Sequence, residues 1–371
     1  MRPPEHVVRA LRALPGPACA YVYDTAALRA RAESVRRSLP VPASLMYAVK
    51  ANGHPSVLAT LARECDGLEV ASGGELALAL RAGARRIVFG GPAKTDAELT
   101  AALDAGVQLN AESVHELHRI AAVRPDAAVV LRVNRRASTL TGSHAMTGTP
   151  TPFGVDEAQL GEALAVPGVR VVGFHLHAVS NNLDGAAHAS FVREALDWSL
   201  ATGINPRVVN VGGGFGIDYL SDARMDLAPL RSIAVPAGVD LIFEPGRYLA
   251  ADAGWYAASV IDVKTTHGRT FAVLRGGTHH FRLPAAWGYD HPFTVLPVDD
   301  WPHPYPRPSA AGTAIDVVGE LCTPRDVLCR GQHVERVRAG DLLVLGRTGA
   351  YGWDISHHEF LRHDPPSFVI L

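Results

Sequence analysis

The feature that most constrains this chain is a recurrence of short β-branched or apolar runs. "SLMYAVK", "GLEVAS", "RIVFGG", "VQLNAE", "AVVLRVN", "RVVGFHLH", "RVVNVGGG" and "DLIFEPG" are separated by segments with apolar residues at helical spacing. Alternation of strand and helix at this interval implies right-handed βαβ units, and eight of them predict an α/β fold with a closed, TIM-like (β/α)8 barrel. Such a barrel gathers its chemistry at the carboxyl ends of its strands. The segment "DTAALRARAESVRRSL" reads as one of the outer helices, opened by Asp24 as its cap. Beyond "EPGRYLA" the pattern changes. "WYAASVIDVKTTHGRTFAVLRGG", "AIDVVGELCTPRDVLC" and "GDLLVLGRTGAYG" are strand-rich with turn residues between, which predicts an antiparallel β-domain. "DDWPHPYPRPSAAG" is too rich in proline for regular structure and reads as an exposed loop.

The remaining bulk properties mainly exclude. A formal net charge of -2 gives no electrostatic reason to expect nucleic acid or an anionic membrane as partner. The opening "MRPPEHVVRALRALPG" lacks an unbroken apolar segment of signal-peptide length, and no later run approaches a membrane span, so a cytoplasmic protein is expected. Cys19, Cys65, Cys322 and Cys329 show no CxxC spacing, which argues against a zinc ribbon or a disulfide framework and for reduced thiols.

Four groups at predicted strand ends stand out. Alternation puts Met46, Ala48 and Lys50 on one strand face, so Lys50 either escapes to water past the strand end or serves as a Schiff-base amine. In "GFHLHAVS" the same alternation puts His175 and His177 on one face with Ser180 beyond, as core residues or as functional ones. Gly212, Gly213 and Gly214 in "VNVGGGFG" form either an ordinary turn or a cradle whose N–H groups approach a phosphate. Glu244 ends the eighth strand with Arg247 after it, and a buried carboxylate there needs a cationic partner. One cofactor would use all four. Pyridoxal 5'-phosphate needs a lysine for its aldehyde, a flat side chain against its ring, a phosphate cradle and an acid on its ring nitrogen.

The blocks "YAVKAN", "VASGGEL", "GFHLHAVS", "VNVGGGFG", "EPGR", "GELCTPRDV" and "GAYG" resemble, in order, the alanine-racemase-fold group of pyridoxal-phosphate enzymes, in its diaminopimelate and ornithine decarboxylase branch. The resemblance implies a cofactor-binding barrel over residues 25–250 and a β-domain made of 1–24 and 251–371 that includes the N-terminal strand. It also implies a homodimer with shared active sites and a small-molecule amino-acid substrate. Lys50 would carry the cofactor and His177 would stack on its ring. Ser180, Gly213, Gly214, Gly246, Arg247 and Tyr351 would surround the phosphate, and Glu244 would hold the ring nitrogen. Arg132 in "LRVN" matches an arginine close to the cofactor. Cys322 matches the thiol that protonates the product carbanion from the other subunit. Glu244, where a racemase would have an arginine, favours decarboxylation over the racemase alternative. The β-domain weighs against a non-catalytic cofactor-binding protein.

The departures from that pattern concern the substrate. Val179 stands where the family usually has glycine, and Glu69 where it has aspartate. Thr323 replaces the acidic residue that pairs with a distal substrate ammonium, which removes the charge partner for lysine, ornithine or diaminopimelate. "GGTHHFRLPAAWG", "ELCTPRD" and "GAYGWDISHHEFL" are similar to decarboxylases of polycarboxylate siderophore biosynthesis, which act on citryl-diaminopropionate-type intermediates. Arg282 and His279, with His280, His357 and His358, would suit such a carboxylate-rich ligand, or would be solvated loop residues. No metal site is expected from "HHEFLRH".

Overall fold

The computed structural model describes residues 2–136 and 140–371, which divide into two units. One comprises residues 28–218 and 222–249, the other residues 1–27, 219–221 and 250–371.

The first unit is the barrel. Its strands are Ser44–Ala48, Gly67–Val70, Ile87–Phe89, Gln108–Ala111, Ala127–Asn134, Val169–His175, Val208–Asn210 and Asp240–Phe243. Every neighbouring pair is parallel, and pairing of Asp240–Phe243 with Ser44–Ala48 closes the ring. Each expected run supplies a strand, and all of the strands except Ala127–Asn134 stop earlier than their runs do. The first ends at Ala48, and Lys50 lies in the 3-10 turn Val49–Ala51. The sixth ends at His175, two residues before His177. Alternation therefore does not orient Lys50 or His177, because neither is in a strand.

The outer helices start where the sequence offers caps. Ser72, Thr95 and Ser113 each accept an N–H from the first turn of the helix that follows, and Thr95 with Glu98 forms a reciprocal capping box. Strand registry then arranges the rim. Arg132 faces His175, and His175 faces Asn210, across three adjacent strands at their carboxyl ends.

The second unit is an eight-stranded sheet. It contains Cys19–Tyr23, Gly254–Thr266, Arg269–Leu274, Phe293–Leu296, Ser309–Val318, Val327–Arg338, Leu342–Gly346 and Ser367–Ile370. The N-terminal strand Cys19–Tyr23 is part of it, antiparallel to Gly254–Thr266 and parallel to Ser367–Ile370. The sheet is mixed, since Arg269–Leu274 also pairs in parallel with Ser309–Val318. Asp24 caps the next helix as expected, accepting the Ala27 N–H at 3.0 Å. The proline-rich segment carries no regular element up to Pro308, and its last residues, from Ser309, enter a strand. Val7, Leu11, Val22, Trp255 and Val344 pack in one buried cluster, so the helix Glu5–Arg12 lays its apolar face on this unit's core.

Candidate active site

Lys50 and Glu69 meet at the barrel rim. Nζ of Lys50 lies 3.0 Å from Oε2 of Glu69, on a lysine side chain that is 51% exposed against 6% for the glutamate. The buried member is therefore satisfied by an amine that also reaches open space. Glutamate in place of a shorter aspartate supplies the length for this contact.

A second chain of contacts runs from Glu244 to His177. Asn210 Nδ2 donates to Glu244 Oε1 at 2.5 Å, and Asn210 Oδ1 accepts the Gly212 N–H at 2.9 Å. The Gly213 N–H donates to His177 Nδ1 at 3.2 Å. Gly212 has φ +67°, and a Cβ on it would lie 2.3 Å from His177 Nδ1, so only glycine allows this turn to back the imidazole. Burial, with repulsion from Glu69, pushes the Glu244 carboxyl up to about 7 against the opposing Asn210 hydrogen bond. Burial also holds His175 and His177 well below the ordinary imidazole range, with the Arg132 charge adding to it. Both rings are thus neutral. Because a backbone N–H can only donate to Nδ1, the proton of His177 is on Nε2.

Arg132 is committed to Glu112, with Nη1 to Oε1 at 3.1 Å, and its guanidinium lies over Phe153. Glu112 also accepts the N–H groups of Gly91 and Gly154, both at 2.8 Å. His175 meets Asn110 at 3.1 Å through Nδ1 and faces Glu244 Oε2 at 3.6 Å through Nε2. Behind them Lys94 and Glu116 form a fully buried pair at 2.8 Å.

The cradle residues gather near the same rim. Gly246 sits against the Lys50 turn, since a Cβ on it would come within 2.9 Å of Ala51 Cβ. Arg247, buried, opens the short helix Arg247–Ala250 directly after it. Gly214 packs under the Val179 carbonyl, and Val179–Ser180 pairs with His144–Ala145. The strands leading to Lys50, Glu244, the glycine turn and His177 are consecutive around the barrel.

The other unit holds the remaining candidates. Cys322 is an exposed thiol in the turn joining Ser309–Val318 to Val327–Arg338. Buried Asp326 fixes that turn by accepting the N–H groups of Thr278 at 2.6 Å and Leu321 at 2.8 Å. Thr323, Arg282 and His357 share a cavity of about 740 Å³. His279 does not line it: its side chain is fully buried, 3.5 Å from Glu320, with its ring against His280. His280 in turn contacts Cys19 Sγ at 3.1 Å, and His358 stacks on Trp353. Tyr351 occupies a left-handed turn, φ +53°, after the strand Leu342–Gly346. Among the described residues no group of three or more His, Cys, Asp or Glu side chains is arranged to hold a metal ion.

Residues 25–251 match the family model of the pyridoxal-dependent decarboxylase pyridoxal-binding domain. The chain belongs to this decarboxylase family. A 2-[(L-alanin-3-ylcarbamoyl)methyl]-2-hydroxybutanedioate decarboxylase of Staphylococcus aureus is 38% identical, over 100% of this chain and 98% of its own. A diaminopimelate decarboxylase of Deinococcus radiodurans is 33% identical over 93% of this chain and 88% of its own. The crystal structure of a point mutant of Helicobacter pylori diaminopimelate decarboxylase, complexed with L-lysine, superposes with a TM-score of 0.84 at 25% identity, covering 98% of this chain and 93% of that one.

The enzyme is a carboxy-lyase, and its cofactor is pyridoxal phosphate. The donor set of the barrel rim fits that group. It offers an amine on an exposed arm, a neutral imidazole backed by a glycine turn, and a buried carboxyl raised to about 7 whose fixed partner is an uncharged amide. A carboxyl in that state lacks a cation, which a protonated ring nitrogen supplies. Asn210, Asn110, Glu112 and Asp326 are the contributors that sequence reasoning does not single out. Only the asparagine of "VVNVGGG", polar within a β-branched run, leaves a signal there.

Proposed function

We propose that this decarboxylase removes carbon dioxide from an α-amino acid bearing a citrate-type polycarboxylate, such as citryl-diaminopropionate. The observation that carries this reading is the cavity at Thr323, whose wall has Arg282, Arg325 and Arg330 against one carboxylate, Asp290. A lysine, ornithine or diaminopimelate ammonium would meet cations there, whereas carboxylates would meet partners. The Staphylococcus relative, whose name describes an alanine amide of a hydroxybutanedioate, supports the same substrate class.

In this reading the barrel, residues 25–250, is the cofactor-binding domain, and 1–24 with 251–371 is the β-domain. Lys50 would hold the cofactor aldehyde, its amine aimed by the buried Glu69 at 3.0 Å. His177, fixed by the Gly213 N–H, would stack on the ring. Gly213, Gly214, Gly246, the Ser180 hydroxyl and the Arg247 guanidinium would surround the phosphate, with the Gly213 N–H kept by His177. Glu244 would hold the proton of the ring nitrogen, and Arg132, paired with Glu112, would lie close to the cofactor. When bound, pyridoxal phosphate supplies the sink for the electron pair left at Cα. Cys322, exposed on its turn, delivers the proton to Cα. That thiol acts in the partner subunit's site, which makes the enzyme a homodimer. Four unpaired thiols support a reducing, cytoplasmic location. No helix among the described residues is long and apolar enough to cross a membrane.

The test is carbon dioxide release by the cofactor-loaded enzyme from equal concentrations of citryl-diaminopropionate, diaminopimelate, ornithine and lysine. The citryl compound is expected to show much the highest kcat/KM. Preference for a simple diamino acid would overturn the substrate assignment, and racemised substrate without carbon dioxide would overturn the reaction.

A further inference from the structure

His175 has no task in the chemistry assigned to Lys50, His177 and Glu244, yet it lies among them. Its ring is 6.3 Å from that of His177, and its Nε2 faces Glu244 Oε2 at 3.6 Å. That nitrogen is buried and makes no hydrogen bond to any described residue. A buried polar atom left unpaired costs stability, so its place at the end of the strand Val169–His175 needs a reason. The other ring nitrogen decides where the proton of His175 is. Asn110 Nδ2 reaches Nδ1 at 3.1 Å. The strand Ala127–Asn134 lies between the strands of Asn110 and His175, so this contact crosses the barrel interior. An amide nitrogen can only donate, which makes Nδ1 the acceptor and leaves the proton on Nε2, toward Glu244. Burial keeps the ring neutral, with Arg132, His177, Lys50 and Lys94 adding to it.

We propose that His175 is a positioning residue for Glu244: its Nε2–H, oriented by Asn110, is held for Oε2 and closes to a hydrogen bond when Glu244 is a carboxylate. Asn210 already donates to the opposite oxygen, Oε1, at 2.5 Å. Glu244 is thus flanked by two neutral donors, one bonded and one just beyond bonding distance. The other charges acting on Glu244 are Glu69, which opposes its ionisation, and Lys50 and Arg132, which favour it. With its carboxyl raised to about 7, Glu244 is a weak acceptor when protonated, and a full negative charge on Oε2 draws the N–H in. Neutral donors suit this acid better than a cation. An amide and an imidazole stabilise the anion and leave its charge free for a protonated ring nitrogen, whereas a lysine or arginine in place of His175 would cancel it.

This inference rests on the role proposed for Glu244, so the experiment reads the two apart. Nitrogen NMR is recorded on holoenzyme carrying isotopically labelled histidine and a cofactor labelled at its ring nitrogen. His175 is expected as the Nε2–H tautomer, with a downfield Nε2 proton that moves upfield in Glu244→Gln as the acceptor loses its charge. His175→Phe, which keeps a ring and removes the donor, should retain the visible absorption of bound cofactor and lower kcat about tenfold, the equivalent of one pH unit in the strength of Glu244. His175→Gln, which restores an N–H, should recover most of that loss, a rescue that mere filling of space does not give. An Nδ1–H tautomer in the wild type, or an Nε2 proton unmoved in Glu244→Gln, overturns the proposal whether or not the His175 variants fold. Wild-type kcat in His175→Phe, with the cofactor ring nitrogen protonated, overturns it as well. An unprotonated ring nitrogen in the wild type overturns the role of Glu244 toward the cofactor, and leaves His175 as its partner if the histidine signals behave as expected.

Discussion

Asn210 donates to Glu244 at 2.5 Å from the adjacent strand while its other amide atom holds the Gly212 N–H, so one neutral side chain ties the acid of the site to its glycine turn. The carboxyl is raised from 4.5 to about 7, chiefly by burial. A carboxyl raised on folding stabilises the fold fully below its unfolded value and loses that contribution as pH rises through its folded value. The window is therefore from about 4.5 to about 7. Burial of neutral His175 and His177 acts in the opposite direction over part of this range, so the quantity to measure is a difference. Relative to Glu244→Gln, wild-type cofactor-free protein should lose stability as pH rises through the window, read by chemical unfolding at several pH values. A pH-independent difference would contradict the burial argument.

Lys50 and Glu69 give the second prediction. Lys50→Ala should lose the visible absorption of bound cofactor, because no other amine of the barrel is placed to replace it: Lys94 is sealed in its pair with Glu116. Glu69→Gln should keep the absorption while lowering kcat/KM about tenfold or more, the worth of one charge-assisted hydrogen bond. Retained cofactor absorption in Lys50→Ala would show that another group anchors the aldehyde.

How much of this is legible in the sequence differs by residue. The eight barrel strands are readable because β-branched runs bounded by Gly and Pro have few other uses in a chain of alternating helices. Their ends are not, because nothing in "YAVKAN" marks the change from strand to 3-10 turn at Val49. Lys50 and His177 are singled out by chemistry, and period assigns them to strands that end before them. Asn210 and Asn110 carry no charge and belong to no recognisable spacing, and only the registry of parallel strands gives them partners. The "HH" doublet reads as a pair of solvent-facing donors, yet His279 lies against Glu320 and His280 against Cys19, inside the sheet unit. The parallel pairing of Arg269–Leu274 with Ser309–Val318 is equally silent, since the long connection between them looks like any loop.

Cys322 leads to a test of subunit organisation. Cys322→Ala should retain bound cofactor but turn over slowly, because the step it serves follows loss of carbon dioxide. Mixing it with Lys50→Ala protein under conditions of subunit exchange should restore activity, since each heterodimer would hold one site with both groups intact. The ceiling is about half of the heterodimer's sites. Absence of restoration, with exchange demonstrated by differently tagged subunits, would place the thiol in its own subunit's site or outside catalysis.

The last prediction concerns Thr323. Its hydroxyl accepts the Arg325 N–H at 3.3 Å, and its side chain lines the cavity with Arg282. Thr323→Glu places a carboxylate beside two guanidinium groups that no described residue pairs, and the new charge would bind them intramolecularly. Two effects follow with the same sign. A distal substrate carboxylate loses its partners, and it also meets a like charge. Citryl-diaminopropionate kcat/KM should fall about a hundredfold or more, because two charge-assisted hydrogen-bonding partners are taken from the substrate at once. For diaminopimelate and lysine the signs differ, since the new carboxylate attracts a distal ammonium while the arginines still repel it. Their gain should therefore be small in Thr323→Glu alone and larger when Arg325→Ala is added. Competition between the citryl compound and lysine, followed by product formation in wild type, single and double variants, reads both changes at once. An unchanged preference in the double variant would mean that the cavity at Thr323 does not select the substrate.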